Sequence, residues 1–247
     1  MAVVEKTVDI LGDDGVCKFI IERKLTEGMP VDFYDEAVKN LRSYALRGMQ
    51  GLQSIDLPNV TDVGSYALAY CPDLKRISLS KCTRFSGNYV FRDCSELESV
   101  DFPLLQTVYE ASFAGCNKLA SISLPSLVSS GSSLFGSMGA LVSASIPRLT
   151  TLPSYAFNNC RSIRQIDLPS VTTIREAVMG ICPLLEVVNI GPNITTIHSS
   201  AFSGTPDGMI INLPVAEGAI SGAPWGAPNA IINYDTPYAG TVPIPES

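Results

Sequence analysis

The chain has 247 residues, 46% of them hydrophobic and 17% charged, with 19 Gly and 17 Pro. That is enough apolar material for one large domain or two small ones, and it excludes a disordered or fibrous protein. Seventeen basic residues against 24 acidic ones leave a net charge of −7, which excludes the basic footprint of a nucleic-acid or anionic-membrane binder.

The charge is uneven. All 17 bases lie at or before Arg175, so the stretch from Glu176 to Ser247 carries six acids, no base and −6 of the −7. In chain order, the N-terminus Met1-Ala2-Val3-Val4-Glu5-Lys6 has an acid at position 5, another at Asp9 and no apolar run. It does not read as a secretory signal, so synthesis in the cytoplasm is expected, with association with a virion or non-classical export as routes outward. The longest uncharged run, between Lys118 and Arg148, holds ten Ser, three Gly and two Pro and could not lie in hydrocarbon, so no membrane insertion is expected. Residues 1 to 40 break the periodicity that follows, and helix-like spacing in Val16-Cys17-Lys18-Phe19-Ile20-Ile21-Glu22 makes them the expected N-terminal cap.

The region 41–213 is a repeat. The pattern apolar-x-x-apolar-x-apolar-Pro, seen as Leu52-Gln53-Ser54-Ile55-Asp56-Leu57-Pro58, recurs from Leu74, Leu97, Leu119, Leu141, Ile163 and Leu185, at spacings of 22, 23, 22, 22, 22 and 22. Ser54 to Leu57 alternates polar and apolar as a short half-buried strand does, and Pro58 ends it by withholding a ladder donor. A strand of about four residues cannot bury its apolar face alone. Stacking coil on coil in parallel register, roughly 4.8 Å apart, supplies the partner. The expected fold is a right-handed α/β-type repeat solenoid with 22–23-residue coils, a parallel β-sheet on one face and a cap at each end. Residues 214–247 follow as a C-terminal strand, loop and proline-rich tail: Met209-Ile210-Ile211-Asn212-Leu213 and Ala230-Ile231-Ile232-Asn233-Tyr234 align 21 residues apart, and a run with Pro237, Pro243 and Pro245 favours an extended tail.

Tyr155-Ala156-Phe157-Asn158-Asn159-Cys160-Arg161-Ser162-Ile163-Arg164-Gln165-Ile166-Asp167-Leu168-Pro169 resembles the repeat of the BspA-like (Treponema-type) leucine-rich repeat family, and the match runs from about Tyr44 to Leu213. The resemblance implies a non-enzymatic solenoid used for adhesion or recognition of a protein or glycan, on cell surfaces or in phages and prophages. The absence of a secretion signal departs from many surface members. Thr7 to Asp14 and Ser221 to Pro228 resemble the flanks of leucine-rich repeat proteins encoded near phage tail genes.

No catalytic, metal or cofactor constellation stands out. Cys71, Cys94, Cys116, Cys160 and Cys182 fill one repeat position that Met49 and Met138 fill in other coils, so buried free thiols acting as small hydrophobes are expected, with Cys82 and Cys17 likewise apolar. The single His198 falls in a turn. Along the outward face one row reads Asp56, Ser78, Asp101, Ser123, Ser145, Asp167, Asn189 and Asn212, and its neighbour contains Ser54, Arg76, Ser99, Val187 and Ile210. Asp56, Arg76, Ser78, Asp101, Asp167 and Asn189 form either a solvated, charge-spaced face or a binding face for polar ligands. Tyr44, Tyr66 and Tyr89 share one position in three successive coils, as a ladder for a sugar ring or partner side chain or as packing. The base-free C-terminal end, with Val187, Ile210, Trp225, Ile231, Tyr234 and Tyr238, is the expected oligomer or docking interface. A recognition module and a structural spacer or assembly component are thus the two expectations.

Overall fold

A computed structural model describes residues 31–238. Thr7–Asp14, the segment around Val16–Glu22, and Cys17 lie outside the described residues, as does the chain after Tyr238.

Two series of strands alternate along the chain. The front series is β1 (Val31–Tyr34), β3 (Leu52–Asp56), β5 (Arg76–Ser78), β7 (Ser99–Asp101), β9 (Ser121–Ser123), β11 (Ser143–Ser145), β13 (Gln165–Leu168), β15 (Val187–Ile190), β17 (Ile210–Asn212) and β18 (Ile231–Asn233). The back series is β2 (Asn40–Leu41), β4 (Asp62–Val63), β6 (Arg84–Phe85), β8 (Thr107–Val108), β10 (Ser129–Ser130), β12 (Thr151–Leu152), β14 (Thr173–Ile174) and β16 (Thr196–Ile197). Every pairing is parallel and steps by one coil, as in Ser54↔Arg76↔Ser99 and Asp56↔Ser78↔Asp101. Side chains one repeat apart therefore stand side by side. The periodic part is wider than 41–213: β1 and β2 already pair with β3 and β4, and β18 adds to β17 as a further coil.

The return segments are turns, and among the described residues there is no helix, which corrects the α/β-type expectation. The reason lies in the backbone donors. Tyr44, Leu46 and Gly48 donate their N–H groups to Ser65, Ala67 and Ala69 of the next coil at 2.9, 2.7 and 2.8 Å, while the alternate residues Ala45, Arg47 and Met49 bond locally, to Arg42, Tyr44 and Leu46. Two left-handed residues per coil, such as Tyr44 (φ 64°) with Gly48 (φ 70°), break any run of helical dihedrals.

The interior is a stack of identical columns. Leu52, Leu57, Val60, Val63, Leu68 and Cys71 are all buried within one coil. Phe91, Phe113, Phe135 and Phe157 form a ladder with ring centroids 5.7, 6.2 and 5.2 Å apart. Each buried Phe contributes roughly 1.5–3 kcal/mol through area alone.

The cysteine column has a second use that composition did not disclose. Cys71, Cys94, Cys116, Cys160 and Cys182 are free and buried, and each S–H donates to a carbonyl of the preceding coil: Leu46, Leu68, Phe91, Phe135 and Phe157, at 3.0–3.3 Å. Cysteine is thus small and apolar yet adds a donor to a buried acceptor, a bond that alanine would remove. Cys82 is also free and buried. Burial pushes the Cys116 thiol up to about 12.

Candidate binding surfaces

The front strands carry a shallow depression of about 310 Å³ lined by Ser54, Asp56, Arg76, Ser78, Ser99 and Asp101. The parallel register assembles it, since these residues come from three successive coils. Asp56 and Asp101 flank Ser78, whose hydroxyl donates to Asp101 Oδ2 at 3.4 Å, and Ser54 donates to Asp32 one coil earlier. Arg76 is exposed between the two carboxylate positions and forms no ion pair among the described residues. The floor is Ile55 and Ile77, both buried, with Val100 half-buried beside them. Such an open, mixed-charge surface can exchange hydrogen bonds with a partner. It offers no enclosed carboxylate of the sort that acid–base chemistry needs.

Asp167 and Asn189, expected on the same face, lie far along the stack beyond β9 and β11. Their polar ends are largely engaged: Asn189 Nδ2 donates to Asp167 Oδ1 at 2.7 Å, Asn212 to Asn189 at 2.7 Å, and Asn233 to Asn212 at 2.8 Å. This amide ladder holds β13, β15, β17 and β18 in register. The row was visible in the sequence, but the side-chain bonds along it become visible only once the pairing is known. Among the described residues no group of three His, Cys, Asp or Glu is placed to hold a metal ion. His198 is exposed, and its Nδ1 meets Ser200 Oγ at 2.9 Å and accepts the Ser200 N–H at 3.2 Å, a local turn contact.

The tyrosine ladder forms, but on the return turns and not on the strand face. Tyr44 and Tyr66 stack at 5.3 Å and 6°, and Tyr66 and Tyr89 follow at 4.9 Å and 34°. Tyr44 is 53% exposed, whereas Tyr66 and Tyr89 are half-buried. The ladder recruits residues the sequence did not single out. Arg47 lies over Tyr44, Tyr66 and Tyr70 at 5.8, 5.7 and 5.0 Å, and Arg92 lies over Tyr89 at 5.1 Å while pairing with Asp93. Burial and the neighbouring Glu110 push the Tyr89 hydroxyl up.

At the C-terminal end, Ile210 and Ile231 are register partners continuing the Val187 row, and Ile231 on β18 is 54% exposed while Val187 and Ile210 are half-buried. Trp225 departs from the expectation of a docking residue: it is fully buried, its indole N–H donates to Ser221 O at 2.9 Å, and its carbonyl accepts the Phe202 N–H. A last coil has no successor to fill its interior, and the largest side chain does so. Tyr234 is half-buried against the core. Tyr238 is half-buried too, its hydroxyl pushed up by burial and by the Asp167 carboxylate.

No curated protein matches the chain. It is similar in structure to a leucine-rich repeat protein from Bacteroides ovatus, with 23% identity and a TM-score of 0.63 over 76% of this chain and 53% of that one; it therefore spans about half of that protein's length. It is also similar to a leucine-rich repeat protein of T. pallidum, with 25% identity and a TM-score of 0.58 over 68% of this chain and 83% of that one. A family model described as the BspA type leucine rich repeat region matches residues 33–126 and 88–208 in six copies. Register, columns and sequence match agree, and the chain belongs to the BspA-type leucine-rich repeat family.

Proposed function

We propose that the chain is a non-catalytic recognition module that binds a protein partner through its front strand face, as adhesion and host recognition require. One observation carries this: the depression around Arg76, where an exposed guanidinium with no ion pair among the described residues stands between Asp56 and Asp101 on the front sheet. A solenoid orders its strand rows before any ligand arrives, so little side-chain entropy is lost on contact. The test is an array of immobilised cell-surface and secreted proteins, with neutral glycans printed alongside, probed with the parent and with Arg76→Glu. A protein ligand lost with Arg76→Glu and kept with Lys118→Ala supports the proposal. Identical capture by parent and Arg76→Glu, or capture of neutral glycans alone, would sink it.

A second reading, attachment to a copy of itself or to a larger particle such as a phage tail, is favoured by Ile231. It is exposed on the terminal strand β18, in line with Ile210 and Val187. In this reading the solenoid is a spacer docked by its end. Light scattering of the parent and of Ile231→Lys distinguishes them, because a monomer mass for both at high concentration removes the self-association arm.

A further inference from the structure

Among the described residues, Arg47 is the one cation set against three aromatic rings. It lies on three tyrosine rings and forms no ion pair and no side-chain hydrogen bond among the described residues. Arg84, Arg92, Lys118 and Arg164 pair with carboxylates, whereas Arg47 is held by aromatic rings instead. Ring faces hold a guanidinium in place by cation–π attraction and leave its N–H edges free for a planar oxyanion.

The tyrosines are not what the backbone would select. Tyr44, Tyr66, Tyr70 and Tyr89 have φ of 64°, 55°, 60° and 61°. This left-handed conformation disfavours an ordinary side chain by roughly 1–2 kcal/mol relative to glycine. Equivalent positions in other coils hold smaller residues, such as Ala111 and Ser133 for Tyr66, or Gly48 and Gly115 for Tyr70. The same two positions are left-handed in later coils too, where Tyr155 and Ile181 also occupy them, but among the described residues only at this end of the solenoid do three tyrosines gather around one guanidinium.

We propose that Arg47 and the Tyr44–Tyr66–Tyr70 platform bind an anionic oligosaccharide, with the guanidinium taking its carboxylate or sulfate and the tyrosines taking the sugar ring. Tyr44, Tyr66 and Tyr89 follow one another at 5.3 and 4.9 Å, and so present a row of ring edges and hydroxyls at the coil pitch beside Arg47. A linear chain of hydroxyl-bearing rings pairs with such a row. An acidic peptide satisfies Arg47 but leaves the row of phenols without partners. The site lies on the return turns and is independent of the strand face proposed above.

Titration calorimetry of the full chain with four probes tests this: an oligogalacturonate, a sulfated oligosaccharide, a neutral cello-oligosaccharide and an oligoglutamate. Binding of either anionic saccharide, weakened about tenfold or more by Arg47→Gln and unchanged by Arg76→Glu, is the expected result. The carboxylated and sulfated probes identify which oxyanion is preferred. Tyr66→Asn, which keeps a residue tolerant of positive φ, weakens binding without unfolding the coil. The proposal is overturned if oligoglutamate binds as well as the saccharides, if neutral and anionic sugars bind alike, if Arg47→Gln binds like the parent, or if no saccharide binds.

Discussion

The cysteine column makes the fold sensitive to alkali in a calculable way. Burial pushes the Cys82 and Cys116 thiols from 9.0 to about 12, Cys182 to about 11, and Cys160 higher still. Each folded thiol therefore stays protonated at a pH where the same thiol in the unfolded chain has ionised. A raised folded-state pKa gives stability that is full below 9, falls as pH climbs from 9 toward the folded value, and is gone above it. Cys94 is likewise pushed well up, while Cys71, hydrogen-bonded to it, is lowered and offsets part of the effect; at pH 10 the buried thiols together therefore remove stability on the order of 5 kcal/mol relative to pH 7. That is comparable with the whole stability of many domains. Urea unfolding followed by far-UV circular dichroism at pH 7.5, 9 and 10, under reducing conditions, reads this as a steep fall in midpoint. Cys160→Ala/Cys182→Ala has a lower midpoint at every pH and only about half the pH-dependent loss. An unchanged midpoint at pH 10, or an equal loss in parent and double variant, refutes the reasoning.

Phe113 touches Phe85, Phe91, Phe102 and Phe135, so Phe113→Ala opens the middle of the stack and lowers unfolding free energy by roughly 3–5 kcal/mol in a denaturant titration. At Gly191 a Cβ would stand 2.0 Å from Pro169 O, a backbone atom of the preceding coil. Gly191→Ala therefore lowers the thermal midpoint by the equivalent of about 1–3 kcal/mol, and an unchanged melt would contradict the close approach. The Asn212 side chain both donates to Asn189 and accepts from Asn233, whereas among the described residues the Asn233 side chain bonds to Asn212 alone. Asn212→Ala should accordingly destabilise by about 1–2 kcal/mol and more than Asn233→Ala, with amide exchange in β17 and β18 as the local readout.

Periodicity alone carried the architecture. Leu52, Leu74, Leu97 and Leu119 recur because every coil must bury the same columns, and a fixed repeat length leaves parallel stacking as the way to align them. The row containing Asp56, Ser78 and Asp101 was legible for the same reason, since register in a solenoid equals sequence phase. The turns were harder to foresee. A returning segment with apolar residues at irregular spacing is compatible with helix or turn, and what decides is whether its N–H groups are taken by its own chain or by the next coil, as at Tyr44 and Leu46.

Where the side chains meet was decided by tertiary structure. Trp225 reads as an interface residue beside glycines and prolines, yet the last coil needs a large residue to fill its interior and draws it inward. Arg47 and Tyr70 are ordinary letters in a turn until the neighbouring coil sets Tyr44 and Tyr66 beneath the guanidinium. The sequence by itself determined the coil, its phase and its rows, because these follow from burial repeated at a fixed period. Only the tertiary structure decided which row members bond to one another, which cation rests on aromatic rings, and which aromatic residue is buried, because those depend on distances across coils that a period does not contain.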